Sequence, residues 1–235
     1  MRLLARLLWV LVVFPIGGCN EVTTPTAPLL LTVTGYDVDW EKAPLEGVEI
    51  CETDTGNCKL TDANGQAALE LPLDEEVSYT FEKNGYGSYI LADLVRSDGE
   101  QRGMGMRTDE HLKMQFERVD SPYPMKPGTG RILLQVSERE FAGVTFELVN
   151  ATGKPYYYDE ERNWDPNLTA TTPRGWGGFV EVSPGDRFRF HVIYGGTAQR
   201  CVPYVGWPGE ANSVWFPVRE GYTTTVDMIC PPPLP

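Results

Sequence analysis

Between Leu30 and Val95 the chain never sustains a helical period; apolar and polar residues instead alternate in short runs. Gly47-Val48-Glu49-Ile50, Gln66-Ala67-Ala68-Leu69-Glu70-Leu71 and Val77-Ser78-Tyr79-Thr80-Phe81-Glu82 each send every second side chain to one face. That period of two belongs to strands with one buried face. Asn64-Gly65 supplies the positive φ of a tight hairpin between two of them. The pattern predicts an all-β module with Leu31, Val33, Val48, Ile50, Leu69, Leu71, Tyr79 and Phe81 in its core.

The second half repeats the theme. Phe141 to Leu148 parallels Leu45 to Ile50, Thr171-Thr172-Pro173-Arg174-Gly175 parallels Thr61-Asp62-Ala63-Asn64-Gly65, and Phe188, Phe190 and Val192 alternate with polar neighbours as Tyr79 and Phe81 do. Gly47 to Gly65 spans 18 positions and Gly143 to Gly175 spans 32, so the second copy carries about 14 more, read as an insertion over 154–168. Between the copies, Thr108 or Asp109 can cap a helix with acidic residues in its first turn, and Leu112, Phe116 and Val119 at i, i+4 and i+7 give it one apolar stripe. A Pro/Gly-containing linker, 121–130, follows.

The N-terminus reads as an export signal. Arg2 and Arg6 precede an apolar run, Leu7–Phe14, far shorter than the roughly 20 residues of a spanning helix. Ile16-Gly17-Gly18-Cys19 resembles the bacterial lipobox, which implies cleavage before Cys19 and lipidation of its thiol. Asn20 in the next position resembles the residue of lipoproteins sorted to the outer membrane. Several acyl chains anchor firmly, so the expected location is the bacterial outer membrane, lipid-anchored, and the expected partners are the membrane and a protein or glycan of the cell envelope. Removing 18 residues from 235 leaves 217, with 18 basic and 33 acidic side chains, a net −15. Such a charge disfavours nucleic acid as a partner. Residues 20–28, NEVTTPTAP, are short and polar, as a tether should be.

With Cys19 lipidated, Cys51, Cys58, Cys201 and Cys230 remain, an even number in an exported chain. Of the three possible connectivities, separation along the chain favours Cys51–Cys58, stapling neighbouring strands, and Cys201–Cys230. Zinc is the rival reading; it needs four ligands, and the chain adds only His111 and His191.

The series Pro44-Leu45-x-Gly47-Val48, Thr61-Asp62-x-x-Gly65, Leu71-Pro72 and Lys83-x-Gly85-Tyr86 resembles the carboxypeptidase regulatory-like modules, which are transthyretin-like β-sandwiches. The second copy, with Tyr158-Asp159, Asp165-Pro166-x-Leu168, Gly175 and Val182-x-Pro184-Gly185, resembles a longer variant found in surface lipoproteins. The resemblance covers about 160 residues and implies an all-β fold of two transthyretin-like (Ig-like) β-sandwich modules with one short bridging helix. The expected organisation is a signal peptide over 1–18, lipidated Cys19 and tether over 19–29, a first module over 30–100, helix and linker over 101–129, a second module over 130–231 and a Pro-rich tail over 232–235. Such modules carry no active site of their own, which implies a non-catalytic binding, adhesion or scaffolding protein without catalytic residues, resident metal or cofactor.

Rival chemistries rest on few residues. Intradiol dioxygenases share a related topology, and Gly175 to Phe179 with His191 resembles one of their segments, but Ile193 stands where their second histidine would be. No Ser/His/Asp spacing or nucleophile elbow occurs. A hydrolase or accessory subunit on envelope polysaccharide needs only two carboxylates, and no pair is singled out among 33. Asp62-Ala63-Asn64-Gly65 begins like a calcium loop but lacks its remainder, and Met104, Met106, His111 and Met114 form a thioether-containing group suited to Cu(I). The candidate ligand patch is Tyr156, Tyr157, Tyr158, Asp159, Trp164 and Asp165 in the insertion, where rings can stack on sugars and carboxylates can bind hydroxyls or Ca²⁺. Tyr204, Trp207 and Trp215 would widen it if the Cys201–Cys230 staple brings them close. The alternative is that the tyrosines cover a sandwich edge while the charges face water.

Overall fold

The computed structural model describes residues 24–137, 142–209 and 213–231. Cys19, the signal segment and the 232–235 tail lie outside these residues. The fold is all-β, two Ig-like sandwiches with one α-helix among the described residues.

The first sandwich contains β1 (Thr26–Tyr36), β2 (Lys42–Pro44), β3 (Glu49–Glu52), β4 (Cys58–Leu60), β5 (Gln66–Pro72), β6 (Glu76–Glu82), β7 (Ser88–Leu94) and β8 (Gln101–Arg107). Strand β1 is the spine of one sheet, antiparallel to β5 and parallel to β8. Strands β3, β6 and β7 form the facing antiparallel sheet, with β4 on its edge. All eight residues expected in this core are buried.

After α1 (Asp109–Arg118) the second sandwich follows: β9 (Gly130–Ser137), β10 (Val144–Leu148), β11 (Lys154–Tyr158), β12 (Trp164–Asp165), β13 (Trp176–Val182), β14 (Gly185–Tyr194), β15 (Thr197–Ala198), β16 (Val202–Val205), β17 (Trp207–Pro208), β18 (Val214–Val218) and β19 (Tyr222–Ile229). Here β9 takes the place of β1, antiparallel to β13 and parallel to β19, while β10, β14 and β18 match β3, β6 and β7.

The repeat extends to single hydrogen bonds. Val48 N–H donates to Thr61 Oγ1 at 2.9 Å and Gly47 N–H to Thr61 O at 2.9 Å. Val144 N–H donates to Thr171 Oγ1 at 3.0 Å and Gly143 N–H to Thr171 O at 2.8 Å. Gly65 and Gly175 sit at φ +72° and +69°, and a Cβ there would stand 2.3 Å from Val33 O or 2.7 Å from Val136 O. Only glycine fits both the dihedral and the close approach.

The two sandwiches are fused through unlike sheets. Strand β7 pairs in parallel with β19, Tyr89 opposite Thr223 and Leu91 opposite Thr225, making one ten-stranded sheet. On β7, Tyr89 and Leu91 point into the first core, while Ala92 points into the second. Ile132, Leu134 and Val136 of β9 and Val226 and Met228 of β19 also enter the second core. The cores therefore lie on opposite faces of the shared sheet. Beyond the seam, the face that carried the first core continues with Leu133 and Gln135 of β9 opposite Thr225 and Asp227 of β19. Helix α1 covers part of this face, packing Leu112 and Phe116, followed by Val119, against Tyr156, Tyr158, Trp164 and Val180. Thr108 caps the helix as expected, accepting from His111 N–H at 3.2 Å.

Two boundaries differ from the sequence reading. Residues 26–29, read as tether, open β1 with Ala27 and Leu29 buried, and residues 101–107, read as connector, form β8 with Met104 and Met106 in the first core. Both segments lack the long alternation of the other strands, and pairing with β1 is what orders each of them.

Both expected disulfides form, Cys51–Cys58 across the β3–β4 pair and Cys201–Cys230 beside β16 and β19. Their loops span separations of 7 and 29, and Cys201 and Cys230 are buried. Loop-closure entropy makes the longer staple worth about 1 kcal/mol more. Replacing Cys201 and Cys230 by Ser should lower the urea midpoint further than replacing Cys51 and Cys58.

Candidate functional site: a cleft at the seam

Where the first sandwich ends at β8 and the shared sheet runs on, a cleft of ≈ 310 Å³ opens. Gly103 and Gly105 of β8 form one wall, and Leu133, Gln135, Thr225 and Asp227 the floor. A Cβ at Gly103 would meet nothing within 4 Å, whereas one at Gly105 would press on the Tyr36 ring at 2.9 Å. Aromatic side chains rim the cleft: Tyr36, Trp40, Trp176 and Tyr204. Trp40 holds φ +63° and carries two cations against its ring, with Arg107 4.6 Å and Arg162 5.2 Å from its centroid. Tyr204 meets Arg102 at 5.0 Å and donates to Gln101 O at 3.3 Å.

Behind this rim lies Arg131, fully buried, with its Cζ 4.8 Å from the Trp164 ring. No acceptor among the described residues engages its Nε, Nη1 or Nη2, nor Nε of Arg107. Tyr158 Oη, Trp164 Nε1, Thr223 Oγ1 and Thr225 Oγ1 are likewise buried without a protein partner among those residues. Burying an ion costs several kcal/mol even after relaxation, and a desolvated cation–π contact returns about 2 kcal/mol. The ring alone does not balance the charge. Nor does Tyr156 act as counter-ion: burial pushes its phenol above its ordinary value despite Arg131, and it donates to Ile132 O at 3.0 Å. Elsewhere the fold sets carboxylates against a buried arginine. Arg102 makes contacts of 2.8 and 2.9 Å to Asp93 and 2.8 Å to Glu100, and Tyr79 donates to the same Asp93.

The helix is tied to this region by one oriented chain. Trp164 N–H donates to Gln115 Oε1 at 2.7 Å, which turns the Gln115 amide nitrogen toward His111 Nε2 at 3.3 Å. His111 Nδ1 lies 2.6 Å from Asp37 O and carries the proton. Only the neutral tautomer satisfies both ends, because a protonated Nε2 would face an amide donor. Burial lowers the His111 pKa from 6.5, and Arg107 and Arg131 push the same way against the Asp37 carbonyl.

The sequence-predicted patch is divided. Tyr156, Tyr158 and Trp164 are buried beneath α1, with Tyr156 stacked on Trp164 at 4.2 Å, and Tyr157 enters the second core against Phe146. No surface of stacked rings exists there, because the helix lies on the face these alternating residues share. Asp159 accepts from Asn163 N–H at 2.7 Å and Asp165 from Asn167 N–H at 2.8 Å, each ordering its own loop. Of the three aromatics expected to widen the patch, Tyr204 reaches the cleft, while Trp207 and Trp215 pair across β17 and β18 under Arg187. The proposed copper group is dispersed: Met104 and Met106 lie in the first core, His111 is locked as described, and Met114 is exposed on the helix. Asp62 receives the Asn64 and Gln66 amides, a turn function. Sequence reasoning did not single out Trp40, Arg107, Arg131 or Arg162. Arg131 carries a faint signal as a cation alternating with Ile132, Leu134 and Val136 in a strand, a pattern that reads as solvent-facing until the topology is known.

Fold and site together define an all-β protein of two fused Ig-like sandwiches with a cationic, aromatic cleft at their junction. No family model matches the chain, and no curated protein matches it. Among solved structures it is similar to a shaft pilin, spaA, of Lactobacillus rhamnosus GG (14% identity, 90% of this chain and 100% of that one, TM-score 0.26). It is also similar to GBS52, the minor pilin of Streptococcus agalactiae (13% identity, 89% and 98%, TM-score 0.27), and to the TIE protein of Bacillus anthracis (14%, 87% and 34%, TM-score 0.26). The chain spans about a third of the length of the TIE protein. Overlaps this loose carry no argument about what the cleft binds.

The His111 arrangement has a pH consequence. With its folded pKa depressed, its stability contribution is complete above the unfolded value of about 6.5 and is lost as pH falls below it. The thermal midpoint should drop between pH 7 and 5.5, and His111→Gln should flatten that drop; an identical slope in the variant would refute the assignment.

Proposed function

We propose that this protein is a membrane-tethered module of the bacterial cell envelope that binds rather than catalyses, with the seam cleft as its contact surface. The observation that carries this reading is the cleft itself: rings of Trp40, Trp176 and Tyr204 stand beside Arg107 and Arg162 on a concave wall of two rigid sheets. Aromatic faces and unpaired donors on preformed walls suit stacking and hydrogen bonding to a glycan or an extended chain without rearrangement. The resemblance to carboxypeptidase regulatory-like modules and the lipobox-like Ile16–Cys19 segment support an adhesion or scaffolding role at the outer membrane. The engagement of both His111 nitrogens and of the Asp159 and Asp165 oxygens by the protein itself favours binding over hydrolysis.

Expressed in a didermic bacterium, the full chain should fractionate with membranes and the Cys19→Ser form should become soluble. In co-sedimentation of that soluble form with purified envelope glycan, Trp176→Ala and Tyr204→Ala should each weaken binding about tenfold, the loss of one stacked ring. Unchanged binding in both variants, each with a parent-like thermal midpoint, would remove the cleft from consideration.

A further inference from the structure

We propose that Arg131 is the centre of an internal anion site, reached through the cleft, that takes one carboxylate or oxyanion group. The inference rests on the proposed reading of the cleft only for the route of entry.

The unpaired donors occupy neighbouring positions between the cleft and Arg131. Thr225 lines the cleft and has a buried, unpartnered hydroxyl. Thr223, two residues along the same face of β19, has another, and it stands opposite Arg131 in the β9 register. From the other side come Arg107, itself a lining residue with an unpartnered Nε, and Tyr158, whose ring lies 5.8 Å from the Arg107 guanidinium. Trp164 closes the group with its indole N–H free and its ring against Arg131. Three of these side chains, Arg107, Arg131 and Trp164, are cationic or N–H donors and the other three are hydroxyls, which can donate, so the set as a whole donates. Two guanidinium groups in such a set, without a carboxylate paired to Arg131 as Asp93 and Glu100 are paired to Arg102, call for an acceptor carrying negative charge. A planar or tetrahedral oxyanion matches the fork of an arginine. A cation or a neutral sugar ring would leave the Arg131 charge uncompensated. The shared chemistry is an oxyanion, supplied either as free inorganic phosphate or as the carboxylate of an acidic sugar.

The test is thermal unfolding of the mature Cys19→Ser protein in a constant chloride background. Sodium phosphate and sodium glucuronate are titrated separately, with glucose as the uncharged control. A saturable rise of several degrees with glucuronate but not glucose, absent in Arg131→Met, would assign the site to an acidic sugar. The same pattern with phosphate as well would assign it to free oxyanion. An equal rise in parent and Arg131→Met, or no saturable rise with either anion, would overturn the proposal. Should Arg131→Met fail to fold, anomalous scattering from bromide-soaked crystals of the parent decides: a peak at the guanidinium supports the site, and none there refutes it. A phosphate response lost in Arg131→Met, combined with envelope binding indifferent to Trp176→Ala, would keep the anion site and discard the cleft as a glycan surface.

Discussion

The parallel pairing of β7 with β19 is the constraint on which the rest of this molecule depends. Each sandwich is a repeat of the other, down to the threonine that receives two backbone amides. What is not repeated is their junction, which joins the second sheet of one copy to the first sheet of the next. Because side chains alternate across a sheet, that mismatch places the two cores on opposite faces. It leaves a stretch of β9 and β19 backed by a core but facing no sheet. Helix α1, the aromatic insertion and the cleft all occupy that stretch. Across the seam, Trp207 donates its indole N–H to Val77 O at 2.8 Å and Gly206 N–H donates to Ala92 O at 2.8 Å, so the second sandwich grips β6 and β7 from the far side as well.

This geometry explains the uneven polarity of the interior. The faces that meet another sheet are largely apolar, and Arg102, buried there, is held by two carboxylates. The orphaned face beyond the seam carries Arg131, Gln135, Thr223, Thr225 and Asp227 instead, under a helix that brings an oriented His111–Gln115 chain. A single layer of helix and rings shields it, and its edge remains open as the cleft. In a chain of formal charge −13, gathering Arg107, Arg131 and Arg162 within one aromatic cluster concentrates positive potential at one place. Field lines in such a low-dielectric recess are focused toward a negative ligand.

Much of the fold was legible in the sequence because its signals are local. Alternation marks Val48, Ile50, Tyr79 and Phe81 as core, Gly65 and Gly175 mark equivalent turns, and Thr108 marks the helix start. The same reasoning reads Tyr156, Tyr157 and Tyr158 as a strand with one open face, and that is where it misleads. Locally nothing distinguishes a face open to water from one covered by a helix some 40 residues earlier. Trp40, Arg107, Arg131 and Trp176 come together only because β8 of one sheet meets the paired β9 and β13 of another around a seam between distant strands. No spacing along the chain encodes that meeting. Strand β8 itself, with glycines at 103 and 105, shows weak alternation and is ordered by its neighbour β1.

The seam can be examined directly by native-state hydrogen exchange at the backbone amides of β7 and β19. If the shared sheet joins the sandwiches, seam amides such as those of Thr223 to Thr225 should exchange only through global opening, as slowly as amides in the middle of β1 and β9. Rapid exchange along β7 and β19, with slow exchange confined to the two separate cores, would contradict the fused sheet and everything placed upon it.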